Sequence, residues 1–333
     1  MPLQRPFLAL LVILFFVVPL LNCGSPHSAD ELYVLVSANI QVPYWKAAGA
    51  GLSQSAAQLK VRYEFVGPDE YNPQAEKDAF DNALTKKPTG ILVSAADAKL
   101  LTASIDKAIA AGIPVITIDS DAPDSKRLFF IGTNNYQAGL TGGERLAAEL
   151  KGKGNVVVFT MPAQANMAER LRGYRTALDS HPQIKIVRVV DIVGDPRIVF
   201  DTTTAILGKE RDKIDAFVCL EAQGGKEVAT VLNSNKVTGK VVIAMDTDPD
   251  TLEWISKGAI AATISQKPYT MSYFGLRVLD ELYHNKLSSL SGDFSKDSFA
   301  PVPAFVDTGS ALVDKSNVEA FIQMKQAATG GGN

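Results

Sequence analysis

The sequence predicts an open α/β architecture of two doubly wound parallel sheets, each with helices on both faces. Three observations predict it. Short Val, Ile and Leu runs alternate with amphipathic stretches from residue 32 to about residue 284, the pattern of strand–helix–strand crossovers. The runs are near-continuous in apolar residues, as for strands buried on both faces. There are ten of them, unusually many for one open sheet, and 333 residues at about 150 per domain make roughly two domains.

In chain order, the first five expected strands are Tyr33–Ser37, Val61–Val66, Gly90–Ser94, Pro114–Ile118 and Leu128–Gly132. The second five are Asn155–Thr160, Ile184–Val190, Ala216–Leu220, Val241–Met245 and Ala261–Ser265. Two of the intervening helices are plainest. Asp97–Ala111 puts Leu101, Ile105, Ala108 and Ile109 on one stripe and stops at Gly112, before Pro114. Asn166–Leu178 spaces Leu171, Tyr174 and Leu178 by three and four. Residues 326–333 close the chain on a low-complexity run (AATGGGN) and are expected to form a flexible tail.

The start of the chain points to export. Arg5 precedes Phe7–Leu21, an unbroken apolar run of 15 residues. That is shorter than the ~20 residues of a membrane-spanning helix, and residues 1–22 read as a secretory signal peptide. A buried core helix is the alternative, and Pro19 argues against it. Leu20-Leu21-Asn22-Cys23 resembles the bacterial lipobox, with Asn22 where a small residue is usual. The resemblance implies a lipidated Cys23 that anchors the protein to a membrane without spanning it. Residues 23–31 then form a polar tether, and the expected location is the periplasm or cell envelope.

Composition removes several functions. Thirty-three basic against 36 acidic residues leave a net charge of −3, without the basic face that nucleic-acid binding needs. Three scattered histidines and two distant cysteines give no zinc finger or disulfide scaffold. Cys219, inside the apolar run 216–220, is expected to be a buried small hydrophobe. No metal, cofactor or disulfide is expected. Nor is an enzyme: the chain lacks a nucleophile elbow, a phosphate loop, a metalloprotease motif and a dinucleotide fingerprint. A glycosidase carboxylate pair is the remaining catalytic possibility.

In open α/β sheets, ligands bind beyond the carboxyl ends of the strands. There the sequence places Tyr44 and Trp45 after the first strand and Asp119 after the fourth. Asn166 and Arg170 follow the sixth, Glu221 the eighth, Asp246 the ninth and Gln266 the tenth. Carboxylates and a guanidinium bind vicinal hydroxyls, and aromatic faces cover the C–H face of a sugar ring. The set suits a polyhydroxylated ligand. Each residue also has a plainer role. Asp119 and Asp121 form turns readily, Arg170 sits beside Glu169 on a helix face, and Trp45 suits a core. Asp246 lies with Asp248 and Asp250 before a helix start, and Gln266 precedes Pro268, where it could cap a helix.

Longer stretches add to this inventory. They are Pro43-Tyr44-Trp45, residues 111–119 (AGIPVITID), 131–139 (IGTNNYQAG), 169–174 (ERLRGY) and 263–268 (TISQKP). In this order and spacing the chain resembles, over residues 32–325, the periplasmic sugar-binding proteins of ribose/galactose type. Those proteins supply ABC importers and share their fold with LacI-type repressor cores. Only residues 24–31 separate the signal from the first strand, too few for a repressor's DNA-binding header.

The resemblance implies a type I periplasmic binding protein fold, with two lobes joined by a three-segment hinge. Lobe one would hold residues 32–133 and 267–296, lobe two 134–266 and 297–325. Tyr44 and Trp45 would stack on a monosaccharide. Asp119, Asn166, Arg170, Asp246 and Gln266 would bind its hydroxyls, with Glu221 in place of the family's usual Asn-Asp pair. The implied partner is a membrane ABC permease, and the implied state a monomer. Val42 and Ser120 depart from the Asn and Arg frequent in ribose binders, which argues against ribose itself but not against the binding mode. Asp119-Ser120-Asp121 also resembles receptors for furanosyl signals, so a receptor reporting to a membrane sensor is the alternative.

Overall fold

The computed structural model describes residues 27–286, 293–294, 297 and 299–330. The expected signal peptide, Cys23, the start of the tether and residues 331–333 lie outside the described residues.

Two six-stranded sheets form. The first contains β1 (Leu32–Val36), β2 (Arg62–Val66), β3 (Gly90–Val93), β4 (Val115–Ile118), β5 (Phe130–Gly132) and β11 (Phe305–Asp307). Its spatial order is β2-β1-β3-β4-β5-β11, parallel throughout. The second contains β6 (Lys153–Thr160), β7 (Gln183–Asp191), β8 (Ala216–Cys219), β9 (Val241–Met245), β10 (Ala262–Ser265) and β12 (Ala311–Asp314). It repeats the order as β7-β6-β8-β9-β10-β12, with only β12 antiparallel. The expected architecture is therefore present, and all ten expected strands form with ends shifted by a residue or two.

The apolar runs do what their composition requires. Every residue of β1, β3 and β4 is buried, as is every residue of β8 and β10, so each sheet needs helices on both faces. Around the first lie α1 (Pro43–Leu59), α2 (Pro73–Thr85), α3 (Ala98–Ala110) and α9 (Pro268–His284). The second carries α4 (Asn135–Glu149), α5 (Ala165–Leu178), α6 (Pro196–Lys209), α7 (Gly224–Ser234), α8 (Pro249–Ser256) and α10 (Val318–Gly330). Asp97 caps α3 by accepting from the Leu100 N–H at 3.0 Å, which satisfies one of the helix's unpaired first-turn donors. Helices α4 and α5 pack closely: a Cβ on Gly139 would lie 2.1 Å from the Arg170 carbonyl oxygen. Cys219 is buried in the second core as a free thiol.

The third crossing departs from expectation. The resemblance assigns residues 297–325 to the second lobe, but Phe305–Asp307 pairs with Phe130–Gly132 in the first sheet. The pairing covers the open edge of β5, and Phe305 stacks on Phe130 with centroids 5.3 Å apart. The chain changes sheets only between Asp307 and Ala311. Hydrogen bonds tie this crossing to the one after β5: Thr308 N–H donates to the Gly132 carbonyl at 2.8 Å, and Asn134 N–H to Asp307 Oδ1 at 3.1 Å. The chain's end departs too, since α10 continues to Gly330 into the segment expected as a flexible tail.

Candidate ligand-binding site

A cavity of about 100 Å³ lies between the carboxyl-terminal edges of the two sheets, and all eight residues expected at the site line it. Tyr44 and Trp45 come from the first turn of α1, with Asp119 following β4. From the second sheet's side come Asn166 and Arg170 on α5, Glu221 after β8, Asp246 after β9 and Gln266 after β10.

The two aspartates occupy matching places. Strands β4 and β9 hold the same position in their sheets, and each is followed by an Asp in the left-handed conformation, with φ of 61° at Asp119 and 67° at Asp246. Asp is one of the few side chains that tolerate this backbone. Each N–H then donates to the next strand: Asp119 to the Ile131 carbonyl at 3.1 Å, Asp246 to the Ile264 carbonyl at 2.8 Å. The kink ends the strand and leaves a carboxylate at each facing sheet edge.

Arg170 is the hub on the second lobe. It is only 2% exposed, and its three named contacts are all neutral acceptors. Nε donates to Asn135 Oδ1 at 2.8 Å, Nη1 to the Leu220 carbonyl at 2.7 Å and Nη2 to Gln266 Oε1 at 2.9 Å. A guanidinium has five N–H bonds, so these three leave two for a ligand. Gln266 passes the network on, donating from Nε2 to Asp246 Oδ1 at 2.9 Å. Across the cavity Asp119 accepts from the Tyr44 hydroxyl at 2.6 Å, and from Ser94 Oγ and Asn166 Nδ2, each at 3.3 Å. The Asn166 bond joins the two lobes.

Burial sets the electrostatics. It pushes Asp246 up to about 7, against the opposing pull of Arg170 and the Gln266 hydrogen bond. Glu221 also rises to about 7 through burial, opposed by backbone N–H donors. Asp119 moves up for the same reason, offset by Arg170 and its hydroxyl partners. The Tyr44 hydroxyl is driven well above its ordinary value by burial and the adjacent Asp119. A buried charge without full hydrogen bonding is costly, and hydroxyl donors would relieve that cost.

Two plainer roles also appear. Glu221 accepts from the Gln223 and Gly224 N–H groups at 2.7 and 2.5 Å, capping α7 while it lines the cavity. Asp121 stands apart, accepting from Thr117 Oγ1 and ion-paired to Arg127. Lining residues that were not among those expected include Ser94, Tyr71 and Gln164. Gln164 Nε2 donates to the Tyr71 hydroxyl at 3.1 Å, a second bond between lobes. Following the β2 and β3 ends as well as the others would have found Tyr71 and Ser94.

The sequence profile of the periplasmic binding protein domain family matches residues 33–286. The D-allose-binding periplasmic protein of Escherichia coli K12 is 24% identical over 273 residues, 79% of this chain and 87% of that protein. The arabinose-binding protein AraP of Geobacillus stearothermophilus superposes with a TM-score of 0.73 at 35% identity, over 88% of this chain and 99% of AraP. A chain of the XylFII–LytSN complex superposes with a TM-score of 0.76 at 27% identity, over 86% of this chain and 98% of that one.

Proposed function

Because the chain belongs to the periplasmic binding protein family, we propose that it captures a monosaccharide between its two lobes and delivers it to a membrane ABC permease. Membership of the family implies an exported protein, and the chain is a binding protein and not an enzyme. Among the described residues no helix is long and apolar enough to cross a membrane. The lipid anchor on Cys23 belongs to the proposal.

One observation carries the ligand class: three carboxylates, a guanidinium with two N–H bonds to spare and five side-chain amides converge with Tyr44 and Trp45 on one cavity. In this reading Asp119 and Asp246 accept from sugar hydroxyls, Arg170 and Asn166 donate, and Trp45 covers the ring's apolar face. The halves that close are residues 32–133 with 267 to about 307, and 134–266 with 311–325, following sheet membership. The names of the allose and arabinose binders put aldohexoses and aldopentoses first among candidates. A specific observation supports a second reading. The likeness to a chain of the XylFII–LytSN complex favours a receptor that reports sugar occupancy to a membrane sensor.

The test is a thermal-shift screen of pentoses, hexoses and furanosyl signals, with calorimetry on every compound that raises the midpoint. At least one is expected to bind near one to one at micromolar affinity, about −8 kcal/mol. No response to any of them, or binding unchanged when Arg170 is replaced by Met, refutes the proposal.

A further inference from the structure

We propose that the first lobe carries a zinc-type divalent-metal site, formed by His27, Glu31, Asp280 and His284 at the end of the sheet away from the cleft. His27 and Glu31 precede β1, whose far end leads into the ligand cavity, and Asp280 and His284 lie one helical turn apart at the end of α9. The five residues of β1 separate the two sites by roughly 15 Å at ~3.3 Å per residue. Two histidines far apart in sequence, each ordinary when read singly, are brought ring to ring with centroids 5.0 Å apart.

The donor atoms are grouped as a metal would need them. One ligand atom from each of His27, Asp280 and His284 lies within 4.8 Å of the others. His27 Nε2 is 3.0 Å from Asp280 Oδ2, and His284 Nε2 is 3.6 Å from Asp280 Oδ1 and 3.1 Å from Glu31 Oε2. A tetrahedron with metal–ligand bonds of about 2.0–2.1 Å has edges of roughly 3.3–3.4 Å, and the His27–Asp280 Oδ2 and His284–Glu31 Oε2 separations of 3.0 and 3.1 Å lie close to that length. Both imidazoles present Nε2.

The carboxylates are also oriented from behind. The Tyr33 hydroxyl donates to Asp280 Oδ1 at 3.1 Å, and the Ser28 N–H donates to Glu31 Oε1 at 2.6 Å. That leaves Asp280 Oδ2 turned to His27 and Glu31 Oε2 turned to His284. Such supporting bonds are characteristic of metal-ligating groups. Glu31 is 4% and Asp280 7% exposed, so their charges need a local counterion. A divalent cation with two neutral imidazoles and two carboxylates is charge-neutral, and imidazole with carboxylate suits zinc. The metal would fasten the segment before β1 to the last turn of α9.

The test titrates purified, chelator-stripped protein with Zn²⁺ alone. One ion per chain is expected, with a raised unfolding midpoint, and at least tenfold weaker binding in His284→Ala and in Glu31→Gln. Circular dichroism confirms that each variant is folded. Should either fail to fold, Co²⁺ added to the unaltered protein supplies the second measurement. Intense visible bands of four-coordinate Co²⁺, displaced by one equivalent of Zn²⁺, are expected. No stoichiometric binding, binding undiminished in folded variants, or only the weak bands of octahedral Co²⁺ would overturn the site and leave four residues joined by histidine–carboxylate hydrogen bonds.

Discussion

Asp119, whose own backbone lies in the left-handed region, accepts three hydrogen bonds from side chains. Replacing it by Ala would remove the ligand contact and a side chain suited to that backbone together. Asn keeps the shape and the left-handed preference, so Asp119→Asn isolates the charge. Hydrogen bonds to charged groups are worth ~1.5–3 kcal/mol. Calorimetry should therefore show sugar affinity roughly ten- to a hundredfold weaker, while the ligand-free unfolding midpoint holds or rises. A large fall in that midpoint would make Asp119 structural. Asp246 gives a pH dependence. On the proposed function, sugar hydroxyls would donate to the charged carboxylate and lower its pKa in the complex, so affinity should fall as pH drops below about 7. Asp246→Asn should flatten that dependence. Ligand-free stability runs the other way: a carboxyl raised from 3.8 to about 7 on folding stabilises fully only below its unfolded pKa, and loses that contribution as pH rises through about 7. The candidate residues were legible because chemistry at strand ends needs no knowledge of distance. The sequence reading puts Asp119 and not Asp121 at the site, and the fold adds a physical reason, Arg127 as the latter's partner.

At the scale of elements, the contact between lobes depends on loops more than strands. Tyr71, in the connection between β2 and α2, packs against the second lobe's core and takes the hydrogen bond from Gln164. Its ring lies over Gly194, where an added Cβ would come within 2.1 Å of it and where φ is +80°. Gly194→Ala should thus weaken sugar binding by preventing close approach of the lobes, with a modest loss of stability from the strained backbone. If calorimetry shows unchanged affinity, the Tyr71 contact is dispensable to closure. Continuous Val, Ile and Leu runs make ten strands readable from residue order alone, because strands covered on both faces need apolar side chains at every position. Strands β11 and β12 are not readable in this way. They are three and four residues long, β11 exposed throughout and β12 fully burying only Val313, and both are held by pairing to β5 and β10 more than by a continuous apolar run. The third crossing is misplaced in the sequence reading for the same reason.

For the whole molecule, matching six-stranded sheets with matching aspartates at their facing edges suit a device in which each half supplies part of the ligand's shell. Moving an open-to-closed balance from 1:99 to 99:1 requires differential binding of about 5.5 kcal/mol. Two to four charge-assisted hydrogen bonds made by the second lobe on closing, at ~1.5–3 kcal/mol each, supply that. Location is testable at this scale too. Cys23→Ser should move the protein from the membrane fraction to the soluble one on cell fractionation, and continued membrane association would remove the lipid anchor. Hinge closure itself is read most directly by small-angle X-ray scattering on the protein with and without its saturating sugar. The radius of gyration should fall on sugar addition, with Asp119→Asn showing no change at the same concentration. An unchanged radius in a sample shown by calorimetry to be sugar-saturated would contradict capture by closing lobes.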